Sequence, residues 1–182
     1  MNDSKISVRY ARALFESALE RKILDKVYDD MLFLSETCRL PEMKEFLESP
    51  IIPPSKKAAV FQAVAGSKTD KLTMSFIDMV VKSGRETFLP AMARVFIHET
   101  KKHNGVTETI LTTAIKVDDK VKKQVSDLIS GAFSTKVELQ EVVDKSIIGG
   151  FVLKIEDNLI DASVKSKLRK IEKELKGRSL SA

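Results

Sequence analysis

The spacing of apolar residues changes once along the chain, at Asn104-Gly105, and this change constrains the fold more than any other feature. Before it, apolar residues recur at intervals of three and four, which is typical of amphipathic helices. After it, Val106 to Ala114 alternates Val, Ile and Leu with Thr and Glu, which is typical of a strand. The sequence therefore predicts two domains, residues 1–104 and residues 105–182.

Prolines and polar residues divide the first domain into short helices. Pro41 and Pro90 suit the first turn of a helix, where a missing N–H is tolerated, and Pro53-Pro54 marks a rigid break. Thr69 or Asp70 can cap the N-terminus of the fifth helix. We expect a compact N-terminal six-helix bundle, with helices over residues 4–20, 24–39, 42–47, 55–65, from 69 or 70 to 84, and 86–103.

The second domain is predicted to be a small α+β domain with the order β-α-β-β-α. After the first strand, Asp118-Asp119 opens a helix that ends near Ala132. Two strands follow, over residues 136–143 and 147–155, and Gly149-Gly150 marks a place in the second where another chain segment comes close. After a polar turn at residues 156–158, Asp161 or Ser163 can cap a last helix that ends at Gly177. Two apolar sets are expected on these helices: Val121, Val125, Leu128 and Ile129 facing inward on the first, and the stripe Val164, Leu168, Ile171 and Leu175 on the second.

Composition is that of a folded soluble protein, with 43% hydrophobic and 31% charged residues. Basic residues exceed acidic ones by 17 to 14 in residues 1–104 and by 14 to 12 in residues 105–182, so neither domain is strongly basic. The excess in the second domain falls on the last helix, which could be a solvated surface, a docking face for an acidic helix, or a site for anionic lipid or RNA. No apolar run approaches the roughly 18 residues of a spanning helix, so we expect no membrane insertion.

The start of the chain lacks a signal peptide or an Arg-rich transit segment, so we expect the mature protein to begin at or near Met1. The single cysteine, Cys38, cannot form an internal disulfide and falls on a predicted apolar stripe, where it is expected to be buried.

Residues suited to catalysis or metal binding do not converge in the sequence. His98 and His103 are five residues apart, which separates their side chains by about 140° around a helix, so they cannot share a metal ion there. The carboxylate pairs Asp29-Asp30 and Asp118-Asp119 are expected at hydrated helix positions. We therefore expect no catalytic residue, no metal and no cofactor.

Three groups of residues resemble recurring patterns of one family, the δ subunit of F-type ATP synthase, whose mitochondrial relative is the oligomycin-sensitivity-conferring protein. The resemblance spans essentially the whole chain. The matching residues are Val8 to Phe15 near the start, Ser83-Gly84-Arg85 followed by Leu89-Pro90, and Ile148-Gly149-Gly150 followed by Asp157-x-x-Ile160-Asp161-x-Ser163-Val164 and Leu168.

This resemblance implies a non-catalytic stator that links the catalytic head of the synthase to its peripheral stalk, so that proton-driven rotation is coupled to ATP synthesis. The family uses the bundle to bind the N-terminal helix of a head α subunit in a groove between the first and fifth helices, and the C-terminal part to hold the end of the stalk b subunits. The corresponding positions here are Tyr10, Ala13, Leu14, Phe76, Met79 and Val80 for the α subunit, and Ile148, Phe151, Lys165 and Arg169 for the stalk. Leu14, Phe76 and Val80 suit the bundle core equally well. The implied location is the cytoplasmic side of a bacterial inner membrane, without insertion.

Two other functions fit the sequence less well. A nucleic-acid-binding or ribosome-associated protein would use the basic last helix, but Trp is absent and both tyrosines, Tyr10 and Tyr28, fall in the bundle, leaving few residues for base stacking. A membrane-surface protein would use the same helix, but its stripe lacks Trp and Phe. We therefore expect no nucleic-acid partner.

Overall fold

A computed structural model describes residues 4–156 and 158–179, apart from the side chains of residues 174 and 177–179. The chain divides into two compact units, Met1–His103 and Asn104–Ala182. Asp157 of the sequence motif lies outside the described residues.

Six α-helices lie in the described part of the first unit, close to the positions predicted for them. The largest shift is at the start of the sixth, where a short 3-10 helix, Glu86–Phe88, precedes the α-helix because the chain turns sharply after Gly84. The helices are α1 (Lys5–Glu20), α2 (Leu24–Thr37), α3 (Pro41–Glu48), α4 (Pro54–Ala65), α5 (Lys71–Lys82) and α6 (Leu89–His103).

The core of this unit is formed by residues of all six helices, and its largest fully buried side chains include Phe61, Phe96 and Met31. α6 packs against both α1 and α2, and α4 packs against α5. Cys38 is buried as predicted, and burial raises the pKa of its thiol to about 11, so the thiol stays protonated and unreactive.

Two buried polar contacts join helices within this core. Asp30 of α2 is 5% exposed, and its Oδ2 accepts hydrogen bonds from the Asp70 backbone N–H at 2.8 Å and from the Thr73 hydroxyl at 2.6 Å. The expectation that the Asp29-Asp30 pair is hydrated is therefore wrong for Asp30, because the N-terminus of α5 packs onto it. Lys57 of α4 donates to Glu86 Oε1 at 2.7 Å and to the carbonyl oxygen at the end of α3 at 2.9 Å.

The second unit contains a four-stranded sheet and two helices within the described residues. The sheet order is β2-β1-β3-β4; β1 and β2 are parallel, and the other pairs are antiparallel. The elements are β1 (Val106–Thr113), α7 (Asp119–Phe133), β2 (Lys136–Val143), β3 (Phe151–Ile155), β4 (Asn158–Asp161) and α8 (Val164–Ser179), with a 3-10 helix at Lys145–Ile147.

One face of this sheet is covered by α7. On β1 it is the face with Thr107, Thr109, Leu111 and Thr113, and these residues alternate with more exposed ones as the sequence predicted. Leu111 packs with Ile129 and Val125 of α7 and with two side chains of β3. The burial of Leu111 and Ile129 therefore sets which face of the sheet is inside.

The predicted order β-α-β-β-α is one strand short. Glu156 adopts a positive φ of 49°, which reverses the chain, so Asn158–Asp161 pairs with β3 as a separate strand. The strand predicted to begin at Ile147 begins instead at Phe151, because residues 145–147 form a 3-10 helix. The glycine pair therefore precedes this strand.

The predicted inward set of α7 is correct only in part. Val125 and Ile129 pack in the core, whereas Val121 is 44% exposed and Leu128 is 74% exposed. The sheet therefore covers only part of the apolar surface of α7. The last helix continues past the predicted end at Gly177 to Ser179. No helix among the described residues is both long and apolar enough to cross a bilayer.

Candidate partner-binding surfaces

The first candidate surface lies where α1 meets α5. The rings of Tyr10 and Phe76 contact edge to face, with their centroids 6.5 Å apart. The Tyr10 hydroxyl accepts a hydrogen bond from the guanidinium of Arg85, whose central carbon lies 5.3 Å from the centre of the same ring. Tyr10 therefore joins α1, α5 and the link between α5 and α6.

Arg85 reaches Tyr10 because of how α5 ends. Gly84 has a φ of 64°, a conformation that glycine adopts without strain, and the Arg85 backbone N–H bonds back to the carbonyl of Val80 at 3.0 Å. This glycine C-cap stops the helix and turns the chain toward α1. The motif Ser83-Gly84-Arg85 is thus a helix stop that positions a cation beside the aromatic pair.

The six residues predicted to bind the α subunit fall into two groups, three buried and three with exposed surface. Leu14, Phe76 and Val80 are buried at 3%, 5% and 0% exposure and belong to the core of the unit. Tyr10 is half-buried, Ala13 is exposed, and Met79 is 46% exposed. The structure brings Tyr10 and Phe76 into contact, and only Tyr10, Ala13 and Met79 offer substantial surface to a partner.

Two further apolar residues extend this surface and were missed in the sequence analysis. Ile6 lies four residues before Tyr10 and is 37% exposed, and Leu72 lies four residues before Phe76 and is half-buried. Residues four apart share one side of a helix, so this spacing could have identified both. We call the combined set the α1–α5 face: Ile6, Tyr10, Ala13, Leu72, Phe76 and Met79.

Basic side chains flank this face on α1. Lys5, Arg9 and Arg12 are exposed at intervals of four and three, which places them on one side of the helix. Arg12 pairs with Glu99 of α6 at 3.5 Å, whereas Lys5 and Arg9 have no ion pair with any described residue. Glu16 is exposed on the same side, so this side of α1 carries a net positive charge next to Ala13 that Glu16 offsets in part.

The second candidate surface is α8, whose apolar stripe is left open. Val164, Leu168, Ile171 and Leu175 are 37%, 52%, 53% and 63% exposed, although apolar residues at this spacing are typical of a helix packed on one side. Basic residues flank the stripe: Lys165 and Arg169 on one side, Lys167 and Lys170 on the other. We call these four apolar residues the α8 stripe.

The start of α8 is fixed by a network of short side chains. Asp161 accepts hydrogen bonds from the Ser163 backbone N–H at 2.9 Å and from the Ser166 hydroxyl at 2.5 Å, and the Ser163 hydroxyl oxygen accepts from the Ser166 backbone N–H at 3.2 Å. Hydrogen bonds from Ser166 and Ser163 lower the pKa of Asp161 to about 2. The Asp-x-Ser motif therefore caps the helix, and both predicted capping residues take part.

The segment before β3 lies against the start of α8. The Val164 backbone N–H donates to the carbonyl of Gly149 at 2.9 Å, and a Cβ atom added to Gly150 would lie 2.4 Å from the carbonyl oxygen of Ala162. The prediction that another segment comes close to the glycine pair is therefore confirmed. The next residue, Phe151, is 42% exposed, and Ile148 is 64% exposed.

The two basic residues predicted to contact the stalk differ in their exposure to solvent. Lys165 is half-buried, and its Nζ lies 3.4 Å from the Ser146 hydroxyl oxygen. Arg169, one turn further along α8, is exposed. Both lie beside the α8 stripe.

The sequence profile described as ATP synthase delta (OSCP) subunit matches residues 6–175, nearly the whole chain. This chain belongs to the ATP synthase delta (OSCP) subunit family. The delta-family resemblance found in the sequence motifs is thereby confirmed.

Individual delta-family relatives match over almost their full length. The ATP synthase subunit delta of Parabacteroides distasonis is 36% identical over 172 residues, covering 94% of this chain and 96% of that protein. The ATP synthase subunit delta of Christiangramia forsetii is 32% identical over 178 residues, covering 97% and 96%. The fold matches a chain in the structure of the Toxoplasma gondii mitochondrial ATP synthase hexamer with a TM-score of 0.80, at 22% identity, covering 94% of this chain and 98% of that one.

The three delta-family motifs lie at the two surfaces described above. Val8 to Phe15 belongs to α1, Ser83-Gly84-Arg85 positions the cation beside Tyr10, and the third motif forms the segment before β3 and the cap of α8. No cluster of three or more His, Cys, Asp or Glu suited to a metal ion occurs in residues 4–156 and 158–179.

Proposed function

We propose that this chain is the non-catalytic connector of an F-type ATP synthase on the cytoplasmic side of a bacterial inner membrane. In this role it links the catalytic head to the peripheral stalk, so that proton-driven rotation is coupled to ATP synthesis. The single observation that carries the proposal is family membership over residues 6–175. The two open apolar surfaces, one in each unit, give each of the two expected partners a place to bind.

The N-terminal unit, a six-helix bundle, is proposed to bind the N-terminal helix of an α subunit on the α1–α5 face. Ala13 is a small exposed residue at which a partner helix can come close, and Ile6 and Met79 offer exposed apolar side chains on the same face. Leu14 and Val80 would support this face from beneath, and the buried ring of Phe76 would form its floor. The positive charge of Lys5 and Arg9 favours a partner helix with acidic residues beside its apolar stripe.

The C-terminal unit is proposed to hold the C-terminal end of the b subunits along the α8 stripe. Sixteen residues of α8 give a helix about 24 Å long, enough to contact about two heptads of a partner helix. Lys165 and Arg169 would pair with acidic residues on that helix. Ile148 and Phe151 are exposed next to the start of the stripe, and their apolar surface extends it.

The head contact is tested by calorimetric titration of the full chain with a synthetic peptide of the α subunit N-terminal segment. Ala13→Asp places a charge at the centre of the proposed contact, and we expect it to weaken binding by at least about 100-fold, because the new carboxylate would lose water at the contact and repel the acidic residues of the partner helix. Ala63→Asp is the matched control, since Ala63 is an exposed alanine on α4. Its affinity should match that of the wild type.

The two variants separate the possible outcomes. If the wild-type chain fails to bind the peptide, the head contact itself is wrong. If Ala13→Asp and Ala63→Asp bind equally well, the partner binds elsewhere on the unit. Circular dichroism of both variants checks that the helices are retained.

The stalk contact is tested separately with a peptide from the C-terminal end of the b subunit. Leu168→Glu replaces the residue at the centre of the exposed surface of α8, and its 52% exposure means that the fold should tolerate the change. We expect loss of b binding with unchanged binding of the α peptide. Loss of both would instead indicate general damage to the protein.

A further inference from the structure

Ile148 adopts a backbone conformation that is unfavourable for its residue type. Its φ of 69° and ψ of −42° approach the strained form of the γ-turn. The other described residues with positive φ, apart from glycines, are Lys22, Ser134 and Glu156. Ile148 alone among these is β-branched, and a branched Cβ makes positive φ particularly costly.

The chain on both sides holds Ile148 in this conformation. Before it, the Asp144 carboxylate accepts from the Ser146 backbone N–H at 2.8 Å and from the Ser146 hydroxyl at 2.9 Å, and Ile147 is buried. After it, the carbonyl of Gly149 is bonded to the start of α8, and Gly150 lies tightly against the turn before that helix. With both neighbouring segments fixed, residue 148 has to make the turn.

The side chain of Ile148 does not offset this cost within the chain. It is 64% exposed, so it gains little from burial, and two glycines, which adopt positive φ freely, follow it directly. A glycine at position 148 would make the same turn without strain. Local strain of this kind persists where the surrounding structure fixes it, and it clusters at ligand clamps and other functional sites.

We propose that Ile148 is an anchor residue, held in a strained turn so that its side chain enters an apolar pocket on the stalk helix. This inference rests on the proposed function, because the partner is the b subunit helix that binds the α8 stripe. Val164, at the start of that stripe, lies against Gly149, with its Cγ2 3.4 Å from the position of a Cβ there. Ile148 is the residue before Gly149 and is 64% exposed, so it lies close to the start of the stripe.

The test compares Ile148→Gly and Ile148→Ala in the full chain. Glycine removes both the side chain and the strain, whereas alanine removes the side chain but keeps a Cβ at positive φ. Both variants should bind the b peptide at least about tenfold more weakly than the wild type, as expected for an anchor residue. Hydrogen exchange of the β3 amides should be slower in Ile148→Gly than in Ile148→Ala, because only glycine relieves the strain.

Ile115→Gly provides the matched control in the same unit. Ile115 is 76% exposed and has no positive φ, so its replacement should speed exchange slightly and leave b binding unchanged. If the wild type binds and Ile148→Gly binds within about twofold of it, Ile148 is not an anchor. If Ile148→Gly exchanges as fast as Ile148→Ala, the turn is not strained.

Failure of the wild-type chain to bind the b peptide would overturn the proposed stalk contact and with it the anchor role of Ile148. A stalk contact without an anchor is recognised by wild-type binding that survives both substitutions at position 148.

Discussion

Replacing Asp30 with alanine should destabilise the N-terminal unit more than any single change on its surface. Asp30 is 5% exposed, and one of its oxygens accepts from the Asp70 backbone N–H and from the Thr73 hydroxyl at 2.8 and 2.6 Å. Both donors belong to the start of α5, the helix that carries Phe76 and Met79. The substitution therefore tests a contact that holds the α1–α5 face together.

The magnitude follows from the fate of the two donors. Thr73 is 0% exposed, so its hydroxyl cannot reach water, and leaving it unpaired costs about 1 to 3 kcal/mol. The Asp70 N–H is only partly buried and can be rehydrated, so its loss costs about 1 kcal/mol. Loss of a carboxylate near the positive end of α5 adds about 0.5 kcal/mol. We expect Asp30→Ala to lower the free energy of unfolding by about 3 kcal/mol.

The assay is urea unfolding of the full chain followed by tyrosine fluorescence. The chain has two tyrosines and no Trp. Tyr10 and Tyr28 both lie in the N-terminal unit, so the signal reports on that unit alone. Thr73→Val removes one donor while keeping the side-chain shape, and its effect should be about half that of Asp30→Ala. The two changes together should cost less than their sum, because they remove the same hydrogen bond.

Two results would refute this reasoning. A loss below about 1 kcal/mol in Asp30→Ala would mean that the buried hydrogen bonds contribute little to stability. Equal stability of Asp30→Asn and Asp30→Ala would also contradict it, because an asparagine oxygen can still accept at this position. In either case the stability of α5 would have to come from apolar packing alone.

Three further predictions concern other parts of the chain. Gly150→Ala should destabilise the C-terminal unit by about 3 kcal/mol, because Gly150 has a φ of +74° and the new Cβ would lie 2.4 Å from a backbone carbonyl oxygen. Gly131→Ala in α7 is the control, since a Cβ there meets open space and should stabilise the unit. Hydrogen exchange of the sheet amides measures both effects. Lys57→Met should lower the free energy of unfolding, measured in urea, by about 3 to 5 kcal/mol, because it leaves the buried Glu86 carboxylate without its ion-pair partner. Adding Glu86→Leu should recover most of this loss. No recovery in the double variant would contradict a role for the pair. The pKa of Asp161 is lowered from 3.8 to about 2 in the folded chain, so its contribution to stability is present above pH about 4 and is lost as the pH falls toward 2. Asp161→Asn should abolish this part of the acid dependence of unfolding, measured by circular dichroism.

Local spacing predicted the elements of this fold well where one face of each element is buried. Helices α1 to α6 lie near their predicted positions because each has apolar residues on the side that faces the core, and all but α2 have a capping residue or a proline at the start. The prediction failed at residues 147–161, where the strand begins late and β4 is separate. That segment is controlled by positive φ at Ile148, Gly150 and Glu156, and the apolar pattern of a sequence does not reveal which residues will take such conformations.

The candidate surfaces were only partly predictable from the sequence. The motifs indicated the correct family and placed Tyr10 and Ala13 on α1, but the same periodicity describes core and interface residues alike. The sequence analysis left open whether Leu14, Phe76 and Val80 belong to the core or to the interface, and only their burial decided that they belong to the core. Burial depends on which helix packs on which, and this is decided by contacts far apart in the chain.

The sequence by itself determined the two-part organisation, the identity of most helices and strands, and the family, because periodicity, capping residues and motifs are properties of neighbouring residues. Only the tertiary structure decided that Asp30 is buried, that Arg85 lies over Tyr10, and that Ile148 is strained and exposed. The stripe of α8 has the apolar spacing of a packed helix, yet it lies open. Spacing shows that a helix needs a partner along one side, but it does not show whether that partner lies in the same chain.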